Sequence, residues 1–188
     1  MRRLIVTEFV SLDGVMEAPG GEAGFAHAGW VQPYMGADSL QYKLNEVLGV
    51  ESLLVGRVTY ESFAEAWPKR TGEFADKMNG MPKHVVSTKL RDAVWNNSSI
   101  IRGDVATEVG KLKKGRGGPI LVAGSRTLVH SLMKHGLVDE YRFMVFPVML
   151  GSGRRVFPES PEPRRLRLTD RRAFSGGVLV NTYEPDGR

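Results

Sequence analysis

The sequence predicts an α/β fold built on a mixed, mainly parallel sheet with an antiparallel C-terminal hairpin. Three observations carry this. Short apolar, β-branched runs alternate with segments whose apolar residues recur every three to four positions, the pattern of βαβ units. Several of those runs end in a glycine and a polar residue, as strands do when they turn into helices. The last apolar run follows an alternation at Leu166 and Leu168 and a Gly176-Gly177 turn, which marks a hairpin.

Residues 3–10 (Arg-Leu-Ile-Val-Thr-Glu-Phe-Val) read as the first strand. Ser11-Leu12-Asp13-Gly14 follows, then a Gly-, Ala- and Pro-rich loop to about Gly36; a loop of that length in a compact domain points to function. Asp38 can cap a helix with Leu40, Leu44, Val47 and Leu48 at helical spacing, ended by Gly49. Residues 52–56 form a short buried strand. A helix then starts near Thr59 and stops by Pro68. Strands follow at 83–88 and 99–101. Asp104 caps a helix with Val105, Val109 and Leu112 inward, closed by Gly115, and Lys111, Lys113 and Lys114 coat its surface. Residues 120–123 lead as a strand into Gly124-Ser125 and a helix with Leu128, Val129, Leu132 and Met133 apolar, stopped by Gly136. A strand pattern over 139–150 breaks at Pro147. Pro158–Arg165 reads as a mobile loop.

The chain has 188 residues, which favours a single domain over 1–188. The hydrophobic fraction of 41% and charged fraction of 25% are those of a globular protein rather than a disordered one. With no cysteine there is no disulfide framework, iron–sulfur cluster or thiol nucleophile, and a cytoplasmic setting is expected. No apolar run approaches a membrane span, and Thr7 and Glu8 cut short the apolar start a signal peptide would need. The net charge of +5 is spread along the chain without an aromatic-basic module, so no nucleic-acid partner is expected. The four histidines have no metal-ligand spacing, and no metal is expected.

Three strand ends carry loops suited to phosphate. Gly56 permits a tight turn, Arg57 offers a fork of donors, and Thr59 adds a hydroxyl at a helix start, where free N–H groups favour anions. Gly124-Ser125-Arg126-Thr127 repeats the strand–glycine–helix arrangement, and Ser87-Thr88-Lys89 places hydroxyls and a cation after a third strand, with Lys83 and Arg102 in the same neighbourhood. One such loop alone is commonly a turn with a helix cap. Three in order point to a ligand with several phosphates, such as a dinucleotide. Gly110–Gly115 lacks the Lys-Ser/Thr pair of a P-loop, and no Gly-x-Gly-x-x-Gly follows a strand.

In this order the motifs resemble the dihydrofolate reductase-like superfamily, and most closely the C-terminal reductase domain of the bifunctional riboflavin-biosynthesis deaminase/reductase and its stand-alone relatives. The marks are Ser11-Leu12-Asp13-Gly14, Leu54–Glu61, Val86-Ser87-Thr88, Val122–Leu128, Leu137–Tyr141 and Phe146–Gly153. The resemblance implies a three-layer α/β/α sandwich and an NADPH-dependent reductase of a small heterocyclic or carbonyl substrate. It implies that Gly56, Arg57 and Thr59 contact cofactor phosphate, and that Gly124, Ser125, Arg126, Thr127 and Leu128 hold the pyrophosphate. Ser87 and Thr88 would lie near the adenosine 2′-phosphate, and Asp13-Gly14 would border the nicotinamide. It implies a homodimer and, without zinc-binding cysteines, no deamination. Dihydrofolate reduction proper and non-catalytic NADPH sensing stay open as alternatives.

Two carboxylates are candidates for the catalytic polar group: Asp13, which reads equally as a turn residue, and Asp38, which reads also as a helix cap. Trp30, Tyr34 and Phe25 could wall a planar substrate or fasten the long loop to the core, and Trp67 reads as core.

Overall fold

The protein is described by a computed structural model over residues 1–159 and 163–187. It contains β1 (Leu4–Ser11), α1 (Ala37–Leu48), β2 (Ser52–Gly56), α2 (Arg57–Ala66), α3 (Glu73–Gly80), β3 (Lys83–Val86), β4 (Ser98–Ile101), α4 (Val105–Lys114), β5 (Ile120–Ala123), α5 (Arg126–Lys134), β6 (Glu140–Phe146), β7 (Leu166–Ala173) and β8 (Leu179–Pro185). The segment expected to be a mobile loop, Pro158–Arg165, includes residues outside the described ones. The eight strands form one sheet in the order β4-β3-β2-β5-β1-β6-β8-β7. All pairs from β4 to β6 are parallel, and the β6–β8 and β8–β7 pairs are antiparallel. The expected hairpin is thus an antiparallel edge on a parallel sheet.

The strand order fixes the layers. Crossovers from β1 to β2 and β2 to β3 run one way along the sheet; those from β4 to β5 and β5 to β6 run back. Right-handed crossovers therefore place α1, α2 and α3 on one face and α4 and α5 on the other. The cores follow. Ile5, Leu53, Val55 and Leu121 pack with Val47, Tyr60 and Met78, while Leu4, Val6, Val122 and Ile120 pack with Val109, Leu128, Val129 and Leu132. A third cluster closes the end of β6 with Trp30, Val31, Phe146, Val178 and Val180.

Three sequence expectations change. The helix α3 was not anticipated, because only Ala75 and Met78 are buried along it and no repeating apolar face announces it. The helix α1 turns the other way from its leucines: Leu40 and Leu48 are exposed, and the sheet-facing residues are Ser39, Lys43, Glu46 and Val47. The strands beneath it explain this. Lys43 Nζ donates to Thr7 Oγ1 at 2.8 Å and pairs with Glu46, and Arg142 reaches Glu46 at 3.4 Å and Glu140 at 2.5 Å. Lys113 is not on the surface. It is buried, donating to the Leu137 carbonyl and pairing with Asp139 at 2.5 Å.

Candidate active site

In a parallel sheet the ligand crevice opens outside the carboxyl ends of strands, where neighbours send their connections to opposite faces. Here β5 leads to α5 on one face, and its neighbours β1 and β2 lead to α1 and α2 on the other. The crevice therefore opens at Gly124 and Ser125, beside Gly56.

The local geometry is tightly built. Gly56 and Ser125 are the N-caps of α2 and α5. Ser125 Oγ accepts the Gly56 N–H at 2.7 Å and donates to Thr59 Oγ1 at 2.8 Å, locking two helix starts together across the sheet edge. Both glycines are required by space. A Cβ on Gly56 would meet Ser125 at 3.0 Å, and one on Gly124, whose φ is +75°, would meet Thr59 Cγ2 at 3.1 Å. The amides of Arg57, Val58 and Thr59, and of Arg126, Thr127 and Leu128, occupy first turns, where no intrahelical carbonyl reaches them. Two positive helix ends thus converge, an arrangement suited to anionic groups.

The expected residues sort clearly. Gly56, Thr59, Gly124 and Ser125 come together. Arg57 stands at the rim, its guanidinium on Glu61 at 2.7 Å. Thr127 is exposed, whereas the Leu128 side chain is buried in the core and has only its amide to offer. Arg126 Nε donates to the Arg155 carbonyl at 3.1 Å, fastening the 153–156 strap across α5. Ser87 is buried at the end of β3 and its Oγ accepts the amides of Lys89 and Leu90, so that hydroxyl shapes the turn; Thr88 and Lys89 are exposed beside it. Lys83 leaves this neighbourhood altogether. It sits at the opposite end of β3, donating to the carbonyls of Asn79, Met81 and Asn96 with its Nζ 4.2 Å over the Trp95 ring. Arg102 is spent on the Arg91 carbonyl.

Both catalytic candidates are held by specific partners. Asp13 accepts from Ser11 Oγ at 2.6 Å and from the amides of Leu150 at 3.1 Å and Gly151 at 2.9 Å. Those donors, the Ser11 hydroxyl foremost, hold its carboxyl down at about 2. It carries no proton to give at neutral pH; it pins the loop after β1 to the loop after β6. Beside it Gly14, at φ +86°, starts the short ladder in which Val15 bridges Arg155. Asp38 is not the helix cap, which is Gly36. Its oxygens take the Ser175 amide at 2.7 Å, the Ser175 hydroxyl at 2.7 Å and the Ser39 amide at 2.8 Å, tying α1 to the β7–β8 turn. The bonds from Ser175 depress its pKa. Of the two readings of the aromatic loop, fastening holds for Trp30 and Tyr34, which lie edge-on to Phe146 at 5.5 and 6.3 Å.

Glu8, which the sequence marks only as a break in an apolar run, stands out in the structure. Glu8 is buried on β1 level with the end of β5, and its Oε1 accepts the Gly124 N–H at 3.1 Å. Burial pushes its carboxyl up to about 8, with the Gly124 amide and Lys43 pulling it down and Glu46 pushing it up. The available signal was an acidic residue inside a strand otherwise apolar enough to be buried on both faces.

Comparison with known proteins agrees with this architecture. The Bacillus subtilis (strain 168) protein YyaP is 29% identical over 191 residues, covering 99% of this chain and 96% of its own length. A putative riboflavin biosynthesis protein from Shewanella sp. PV-4 superposes with a TM-score of 0.77 at 19% identity, covering 98% of this chain and 99% of the other. Dihydrofolate reductase from Enterococcus faecalis, solved with NADP(H) and RAB-propyl, superposes with a TM-score of 0.63 at 14% identity over 98% and 97% of the two chains. The three-layer, dihydrofolate reductase-like fold expected from the motifs is thus the fold observed. Residues 2–180, from just before the first strand to the start of the last, match the RibD C-terminal domain, and the chain belongs to that family.

Proposed function

We propose that this protein is an NADPH-dependent reductase of a small heterocyclic or carbonyl substrate, of the kind that reduces the ribosylaminopyrimidine in riboflavin biosynthesis. The single observation that carries this is the pair of helix N-termini locked by Ser125 Oγ at the crevice between β5 and its neighbours. Family membership and a fold shared with an NADP(H)-bound dihydrofolate reductase support it.

The residues present fit a dinucleotide. At Gly56 and Gly124 the missing side chains make room for Ser125 and Thr59, which brings the two helix starts close enough to share one ligand. The first-turn amides of α2 and α5 are donors for phosphate oxygens, Arg57 and Thr59 add a guanidinium and a hydroxyl, and Arg126 and Thr127 line the mouth of α5. Thr88 and Lys89, at the end of β3, stand about 10 Å along the sheet edge from β5, two strand spacings away. When bound, the nicotinamide supplies the hydride. The chain's own part is to orient it, exclude water and hold protons. Asp13 does the first indirectly, by clamping the loops that border the crevice.

The substrate side is the α1 face of β1, where Lys43 and Thr7 form a buried polar pair. Dihydrofolate itself is disfavoured, because the helix carboxylate that would face a pterin, sought at Asp38, is bound to Ser175. A cytoplasmic homodimer completes the proposal; sedimentation at micromolar concentration checks the dimer.

Titration with NADPH, followed by its fluorescence, tests the reading. Saturable binding is expected in the wild type, with Arg57→Ala weaker by about tenfold, or about 1.4 kcal/mol. Binding by Arg57→Ala as tight as the parent removes Arg57 from the site. Absence of binding at millimolar cofactor removes the function.

A further inference from the structure

Glu8 joins the middle of the sheet to the glycine turn of the proposed cofactor site. It is 5% exposed, and among the described residues only the Gly124 N–H is bonded to its carboxyl, through Oε1. The same turn places Gly124 one residue before Ser125 and two before the first amide of α5. A polyanion seated on those amides lies beside this carboxyl group.

We propose that Glu8 is a proton-carrying wall of the dinucleotide site: its neutral form admits the dinucleotide and its ionised form repels it. The inference rests on the function proposed above. The groups acting on Glu8 are few. Lys43 and Glu46 approach from α1, paired with each other; Arg142 on β6 holds Glu46; and the β5–α5 turn contributes only its amide. Against these, burial dominates, and the neutral acid prevails at neutral pH. A bound anion disfavours the carboxylate further. Binding above about pH 8 therefore takes up a proton, and affinity falls as pH rises, by up to tenfold per pH unit.

The test is NADPH titration of the whole protein between about pH 7 and 9.5, in the wild type and Glu8→Gln. Glutamine keeps an oxygen for the Gly124 N–H and carries no charge. The wild-type Kd is expected to rise about tenfold across the upper part of this range, while that of Glu8→Gln stays within about twofold. Lys83, which burial also brings to about 8, is common to both proteins and lies at the far end of β3, so the difference between them isolates Glu8. Should Glu8→Gln fail to fold, calorimetry of the wild type near pH 8.5 in buffers of different protonation enthalpy decides: uptake of half a proton or more supports the proposal, and zero uptake overturns it. Tight wild-type binding that is flat with pH overturns the role of Glu8 and leaves the dinucleotide site standing. Absence of NADPH binding at pH 7 overturns both.

Discussion

The hydroxyl of Ser125 serves two elements at once, and its removal has a calculable effect. Ser125 Oγ bonds the Gly56 amide at 2.7 Å and Thr59 Oγ1 at 2.8 Å, and the residue itself is left-handed at φ +72°. Ser125→Ala deletes both bonds and leaves the Gly56 N–H unmatched, a loss of about 1–3 kcal/mol. The site is half-buried, so water recovers part of this, and about 2 kcal/mol is the expected destabilisation. Ser125→Gly deletes the same bonds but relieves the left-handed backbone, which costs a residue with a Cβ about 1 kcal/mol. The order of stability is therefore wild type, then glycine, then alanine, with steps of about 1 kcal/mol each. Equilibrium urea unfolding at neutral pH resolves this, and Tm should drop by roughly 4–8 °C in the alanine variant. An alanine variant as stable as wild type refutes the hydroxyl bridge. A glycine variant less stable than alanine refutes the backbone strain.

Other consequences follow from the same geometry. Gly124→Ala forces a Cβ into a left-handed position 3.1 Å from Thr59, and should cost about 2 kcal/mol or more and abolish NADPH fluorescence changes. Asp13 has a folded-state pKa below its ordinary value, so its contribution to stability is present above about pH 4 and lost as pH falls towards 2; Asp13→Asn should lack this acid slope in thermal melts. Glu8 has the opposite sign. Its folded-state pKa lies above its ordinary value, so folding stability declines as pH rises from about 4.5 to 8, and Glu8→Gln should gain stability over wild type across that window, most at its upper end.

The strand–helix alternation was legible because each parallel strand is buried on both faces and reads as a continuous apolar run; Leu53–Val55 and Ile120–Val122 are examples. The glycine turns at Gly56 and Gly124 were legible for a related reason: glycine beside a hydroxyl at a strand end serves both close packing and helix capping. What the sequence hid was mostly tertiary. The direction of α1 is decided by Thr7 and Arg142 beneath it, far away in the chain, which reward buried Lys43 and Glu46 over exposed Leu40 and Leu48. Lys83 looked like a phosphate ligand from its strand but lies at the strand's other end, where three carbonyls converge. Asp13 and Asp38, the two catalytic candidates, have specific work in the structure. That work is clamping loops through backbone amides more than a hundred residues distant, which spacing along the chain does not show.

The central claim is that a dinucleotide binds on the paired helix starts. The most direct measurement is an NMR titration of the 15N-labelled protein with NADPH, read amide by amide. The largest shifts are expected on Gly56, Arg57, Val58 and Thr59 and on Gly124 through Leu128, with smaller ones at Thr88 and Lys89. Saturating shifts confined to other surfaces, or none at millimolar NADPH, would contradict it.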